Sequence, residues 1–173
     1  MKKGKTSSRQ SEKKGKGKPG KSKIQPGEKG KAEQKRAGKG KGIKVLVPLL
    51  SKREAEPAFI DLVASKAREV ILLLVIDTNA MSGEFGFATN EIAVGNALMQ
   101  KAKIALGKKK KPCNDVIEWG NTANKIEHLA MLHMVDKIYV VRQDNHFFKK
   151  LLQDMRENLP GIEIEAVKLP GWE

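Results

Sequence analysis

Acidic, aromatic and large aliphatic side chains are nearly missing from the first 42 residues of this 173-residue chain. Glu12, Glu28 and Glu33 are the only acids there, Ile24 is the only large aliphatic besides Met1, and all eight aromatics lie beyond Gly42. A segment so poor in apolar surface cannot bury enough to offset the entropy of ordering. Cysteine is equally scarce. Cys113 stands alone, which excludes an internal disulfide and fits a reducing cytoplasm. Long hydrophobic runs are also lacking: the longest, Val70–Ile76, stops at Glu69 and Asp77 and is too short to span a bilayer. No apolar stretch follows the Lys-rich start, so a signal peptide is not expected, and Lys2 breaks the N-terminal glycine pattern for myristoylation. A metal set is not expected either. His128 and His133, five apart, sit about 140° around a helix and cannot converge.

What the first 42 residues do have is positive charge. Their sixteen Lys and Arg against three acids give +13 of the chain's +14, so the other 131 residues are close to neutral. Residues 1–42 are expected to be a disordered tail and 43–173 one folded domain. The tail's r.m.s. reach is roughly 35–40 Å, and its Gly-Lys alternations (14–18 and 38–42) are low-complexity pattern rather than a folded repeat. Lys2, Lys3, Lys5, Arg9, Lys13, Lys14, Lys16, Lys18, Lys21, Lys23, Lys35, Arg36, Lys39 and Lys41 are its candidate phosphate contacts. Such cations bind nucleic acid by releasing counterions, which needs charge density and no fold. Without aromatics to stack on bases, little sequence preference is expected, and charge does not distinguish RNA from DNA. Anionic lipid and simple solubilisation are the competing uses of such an arm.

The second part alternates strand and helix signals. Ile43–Leu50 reads as a strand buried on both faces. A helix follows from about Pro57, with Ile60, Val63, Ala64 and Ala67 on one face; Ser51 and Glu54 have capping-box spacing, but a start there would place Pro57 too deep. Val70–Ile76 is a second strand, Asp77–Phe87 a long loop and Ala88–Leu106 a helix, with Thr89 as cap and Gly107 as stop. Asp115–Trp119 is a third strand, followed by a turn at Gly120-Asn121-Thr122 and a helix over Ala123–Val135. Lys137–Val141 is the fourth strand. Asn145 caps a last helix striped by Phe148, Leu151, Leu152, Met155 and Leu159, and Ile162–Leu169 is a fifth strand at or near an edge. Alternation of this kind calls for right-handed crossovers and a parallel sheet between helix layers. Ligands in such α/β sheets bind beyond the carboxyl ends of the strands, which nominates the loops after the first, third and fourth.

The opening Ile43-Lys44-Val45-Leu46-Val47-Pro48, the strand Glu69–Val75, and the run from Val116 through Gly120, Ile126, Ala130 and Asp136 to Val141 resemble the universal stress protein domain of the adenine-nucleotide alpha-hydrolase-like group. The resemblance covers roughly Ile43 to Leu169. It implies a three-layer α/β/α fold with an open five-stranded parallel sheet in order 3-2-1-4-5, a crevice between the first and fourth strands, and dimerisation, often through the last strand. ATP-binding members of that group resemble this chain less. They place an aspartate soon after the Val-Pro of strand one, where this chain has Pro48-Leu49-Leu50-Ser51. They follow strand four with a glycine run, where this chain has Arg142-Gln143-Asp144-Asn145-His146-Phe147 and no glycine before Gly161. Those glycines would let backbone N–H groups approach phosphates.

Candidate crevice residues are therefore Ser51, Lys52 and Arg53 after the first strand, Asp77 after the second, Gly120, Asn121 and Thr122 after the third, and Arg142, Gln143 and Asn145 after the fourth. Arg142 could hold an anion and the last helix's N-terminus could assist; helix capping and solvated loop charge explain the same residues without a ligand. No catalytic residue and no certain cofactor is named, and ATP is the candidate ligand. Two functions are expected in competition: a non-enzymatic dimer whose arm binds nucleic acid, and a nucleotide-responsive regulator or slow ATPase. A structural dimer with an inert crevice is the third.

Overall fold

Strand β1 (Ile43–Pro48) is the middle of a five-stranded sheet whose strands run in the order 3-2-1-4-5, all neighbours parallel. The computed structural model describes residues 42–77 and 91–171. The basic tail up to residue 41, the loop predicted over 77–87 beyond its first residue, and the Thr89 cap lie outside the described residues. The remaining elements are α1 (Pro57–Lys66), β2 (Ala67–Ile76), α2 (Ile92–Lys108), β3 (Cys113–Trp119), α3 (Thr122–Leu132), β4 (Lys137–Val141), α4 (His146–Asn158) and β5 (Glu163–Val167).

The apolar runs of β1, β2 and β4 are continuous because helices cover both faces of the sheet. Val45, Val47, Val70, Leu72, Leu74 and Tyr139 pack against Phe59, Ile60 and Val63 of α1 and Met99, Ala102 and Leu106 of α2. Leu46, Ile71, Leu73, Val75, Ile138 and Val140 pack against Ile126, Leu129 and Ala130 of α3 and Phe148, Leu151 and Met155 of α4. Edge strands β3 and β5 are only partly buried and carry mixed sequences. Lys137 of β4 reaches Glu163 of β5 at 2.6 Å, fixing a charged pair on the β5 edge.

Both signals near Pro57 are used. Ser51 caps a separate 3-10 turn, Lys52–Ala55, in a full capping box with Glu54, and α1 then begins afresh with Pro57 at its first turn. Ala67 belongs to β2 rather than to α1. Gly107 does not stop α2. The helix runs through it, and Lys110 takes the left-handed conformation (φ 56°), with Lys110 N donating to Gly107 O at 2.9 Å and Lys111 N to Leu106 O at 3.1 Å. This is a Schellman turn closed by a lysine. Helix α3 starts at Thr122 and ends at Leu132, short of the predicted Val135, because Met134 (φ 49°) closes a second Schellman turn through Val135 N and Ala130 O at 3.1 Å. At the start of β1, Gly42 has φ 142° and its missing Cβ would lie 3.0 Å from Arg68 N, so the chain enters the sheet through a position that only glycine fits.

Candidate functional site

At the carboxyl ends of β1 and β4, where strand order reverses, the central group is one that sequence reasoning did not nominate. Glu54 is fully buried. Its Oε2 accepts from Ser51 N at 2.8 Å and Ser51 Oγ at 2.7 Å, and its Oε1 accepts from Val141 N at 3.3 Å. Burial pushes this carboxyl up to about 7 from an ordinary value of 4.5, with the Ser51 hydrogen bonds pulling in the opposite direction. The acid thus joins the turn after β1 to the last residue of β4.

The nominated residues around it are largely engaged in the fold. Ser51 is committed to Glu54 and also accepts from Arg53 N at 3.2 Å. Arg53 Nε donates to Glu56 at 2.7 Å and its Nη2 to Pro170 O at 2.9 Å, while Lys52 is exposed. After β4, Arg142 N donates to Val167 O at 2.8 Å and its side chain is exposed. Asn145 caps α4, accepting from Phe148 N at 2.7 Å, and its Nδ2 donates to Gln143 Oε1 at 3.1 Å. The other atom of that amide, Gln143 Nε2, is buried with no hydrogen-bond partner among the described residues.

A second group forms beyond β2 and β3. The Asp77 carboxylate is buried and accepts from Thr122 N at 3.2 Å and Thr122 Oγ1 at 3.4 Å, placing an anion at the N-terminus of α3. Gly120 has φ 126° and donates from N to Ile76 O at 3.1 Å, and Asn121 caps α3 through Asn124 N at 3.1 Å. Asp77, Gly120, Asn121 and Thr122 are thereby brought together, apart from the Ser51–Arg53 and Arg142–Asn145 segments that flank Glu54.

No family model and no curated protein matches this chain. Solved structures do. A universal stress protein in complex with cAMP superposes with a TM-score of 0.53 at 11% identity, covering 75% of this chain and 98% of its own. A universal stress protein family member from Arabidopsis thaliana with AMP bound gives 0.52 at 15%, covering 75% and 93%. One from Burkholderia pseudomallei gives 0.51 at 15%, covering 78% and 100%. The chain has the universal stress protein fold.

In this universal stress fold the segment after β4 has no glycine between Val141 and Gly161, and two backbone donors there are taken by side chains, Val141 N by Glu54 and Phe148 N by Asn145. Glu54 escaped the sequence reading because only its local partner, Ser51, is near in sequence; Val141, its second partner, is 87 positions away. Among the described residues no group of three or more His, Cys, Asp or Glu is placed to hold a metal ion. Cys113 is half-buried, and desolvation pushes its thiol up to about 11, away from nucleophilic use. No helix among the described residues is long and apolar enough to cross a membrane.

Proposed function

We propose that this chain is a non-enzymatic, homodimeric universal-stress-type protein whose basic N-terminal arm binds RNA or DNA with little sequence preference. The observation that carries this is the partition of charge, with +13 of +14 in residues 1–42. Phosphate neutralisation by such an arm is driven by counterion release. A dimer would present two arms and gain avidity without new contacts. The edge position of β5, which among the described residues pairs with β4 alone, supports an assembly through that strand. The commitment of Asp77 to Thr122 and of Glu54 to Ser51 and Val141 supports a structural rather than catalytic use of these carboxyls.

The test is binding of a labelled duplex DNA and a single-stranded RNA across a salt series, by the full chain and by a chain lacking residues 1–42. With six to ten cations engaged, full-chain affinity is expected to fall roughly 10³–10⁵-fold between 50 and 200 mM salt. Removing the arm is expected to cost most of that affinity; equal affinity of the two chains would overturn the reading.

A second reading keeps the crevice in use, as a nucleotide-responsive regulator or slow ATPase. The structures bound to cAMP and AMP support it, as does the unsatisfied Gln143 Nε2 beside the N-terminus of α4. The buried Glu54 carboxyl weighs against a phosphate at the end of β4, since it already holds Val141 N.

A further inference from the structure

We propose that the folded domain carries its own phosphate-binding face at the amino end of the sheet, formed by Lys66, Arg68, Lys108 and Lys110, with the phosphodiester backbone of nucleic acid as its ligand. The ligand class rests on the reading of the arm; the face itself is an independent feature of the core.

Helices α1 and α2 both end at this side of the sheet, at Lys66 and Lys108. The chain beyond α2 is drawn against the chain beyond α1, because Lys111 Nζ donates to Ala67 O at 2.8 Å. Lys109 pairs with Asp61 of α1 at 2.6 Å. Six of the eighteen Lys and Arg after Gly42 therefore gather on one edge of a domain whose overall charge is close to neutral. Lys109 and Lys111 are used in holding the edge together. Lys66, Arg68, Lys108 and Lys110 are exposed and have no ion pair among the described residues.

Cations near helix C-termini also complement the helix dipole, but that effect fades beyond the last turn. It accounts for Lys66 and Lys108, not for Arg68 inside β2 or Lys110 two residues past α2. Lys110 moreover occupies a left-handed position (φ 56°) that glycine would fill with less strain. Its backbone gives no reason for a lysine; its charge does. Gly42 approaches Arg68 so closely that a Cβ there would lie 3.0 Å from Arg68 N. Ile104, one turn before Lys108 on α2, is also exposed, so a lipid surface is the competing occupant that the vesicle measurement below separates from nucleic acid.

The experiment uses the full chain, labelled duplex DNA and phosphatidylserine vesicles. Lys108→Gln/Lys110→Gly removes two charges while keeping the left-handed turn, and Lys150→Gln/Lys168→Gln removes two exposed charges elsewhere. The face pair is expected to lower duplex affinity about tenfold near 100 mM salt and to flatten the salt slope by about 2, as loss of two phosphate contacts requires. The control pair should leave the slope in place. An equal change in both pairs, or none in the face pair, overturns the face. So does loss of vesicle binding with duplex binding intact, which would assign it to lipid. Deleting residues 1–42 is a separate arm of the same assay: if only that deletion weakens binding, the face fails and the arm stands, and if only the face pair does, the arm reading fails. Thermal melts of each chain confirm that the effects are read on folded protein.

Discussion

The carboxyl of Glu54 accepts a hydrogen bond from the backbone N–H of Val141, tying the turn after the central strand to the end of its neighbour across the switch point. Its titration has a defined sign. The folded carboxyl is raised to about 7 from 4.5, so the native state holds this proton more tightly than the unfolded chain. The stabilisation is complete below about pH 4.5 and is lost as pH rises through 7, up to on the order of 3 kcal/mol for such a shift. Glu56 beside Arg53 and Asp144 beside Lys149 are shifted downward and act in the opposite direction, but both are at the surface, where screening weakens them. Glu54→Gln should therefore flatten the fall in urea-unfolding stability between pH 5 and 7. An unchanged pH slope in that variant would show that Glu54 does not titrate there.

Asp136 gives the start of the sheet a comparable clamp. Its Oδ2 accepts from Lys44 N at 2.8 Å and its own N donates to Lys44 O at 2.8 Å, so the residue before β4 holds the start of strand β1. Asp136→Ala should cost about 1 kcal/mol, and Asp136→Asn, which keeps an acceptor, distinctly less. Urea midpoints of the two variants decide it, and equal losses would remove the side-chain bond from the account.

Much of this architecture is legible in the sequence because burial on both faces leaves continuous apolar runs: IKVLV, VILLLVI and KIYVV are strands to within a few residues. Edge strand β3, CNDVIEW, loses its first two residues in a sequence reading because half its positions meet solvent. The helix ends at Lys110 and Met134 are not legible, since neither residue favours the left-handed conformation it adopts. The candidate site was legible as a set of loops but not in its centre. Ser51 and Glu54 show their local pairing, whereas the burial of Glu54 depends on packing far along the chain.

Met134 offers a direct test of that helix end. It holds φ 49° and is 81% exposed, so its side chain adds little packing while its Cβ opposes the backbone conformation. Met134→Gly should stabilise the domain by about 1 kcal/mol, seen as a raised thermal midpoint. Met134→Ala, which keeps the Cβ, should not. A loss of stability in the glycine variant would mean that the methionine side chain is held by contacts after all.

The crevice is decided by titrating magnesium-ATP calorimetrically into residues 43–173, which contain the five strands of the sheet and leave out the sixteen Lys and Arg of residues 1–42, whose charge would compete for triphosphate. If the core serves as a scaffold, no saturable heat appears up to millimolar nucleotide, and Arg142→Ala and Gln143→Met change nothing in that assay. Saturation near one site per chain would instead favour the nucleotide-responsive reading. In that case Arg142→Ala should weaken binding by removing the exposed cation beside α4, and Gln143→Met by removing the unsatisfied donor. The methionine variant separates binding from folding. It removes the orphan Nε2 and the acceptor of Asn145 Nδ2 together, so its stability should stay within about 1 kcal/mol of the parent. Nucleotide binding that survives both substitutions would move the ligand away from the α4 terminus, toward the Asp77–Thr122 group.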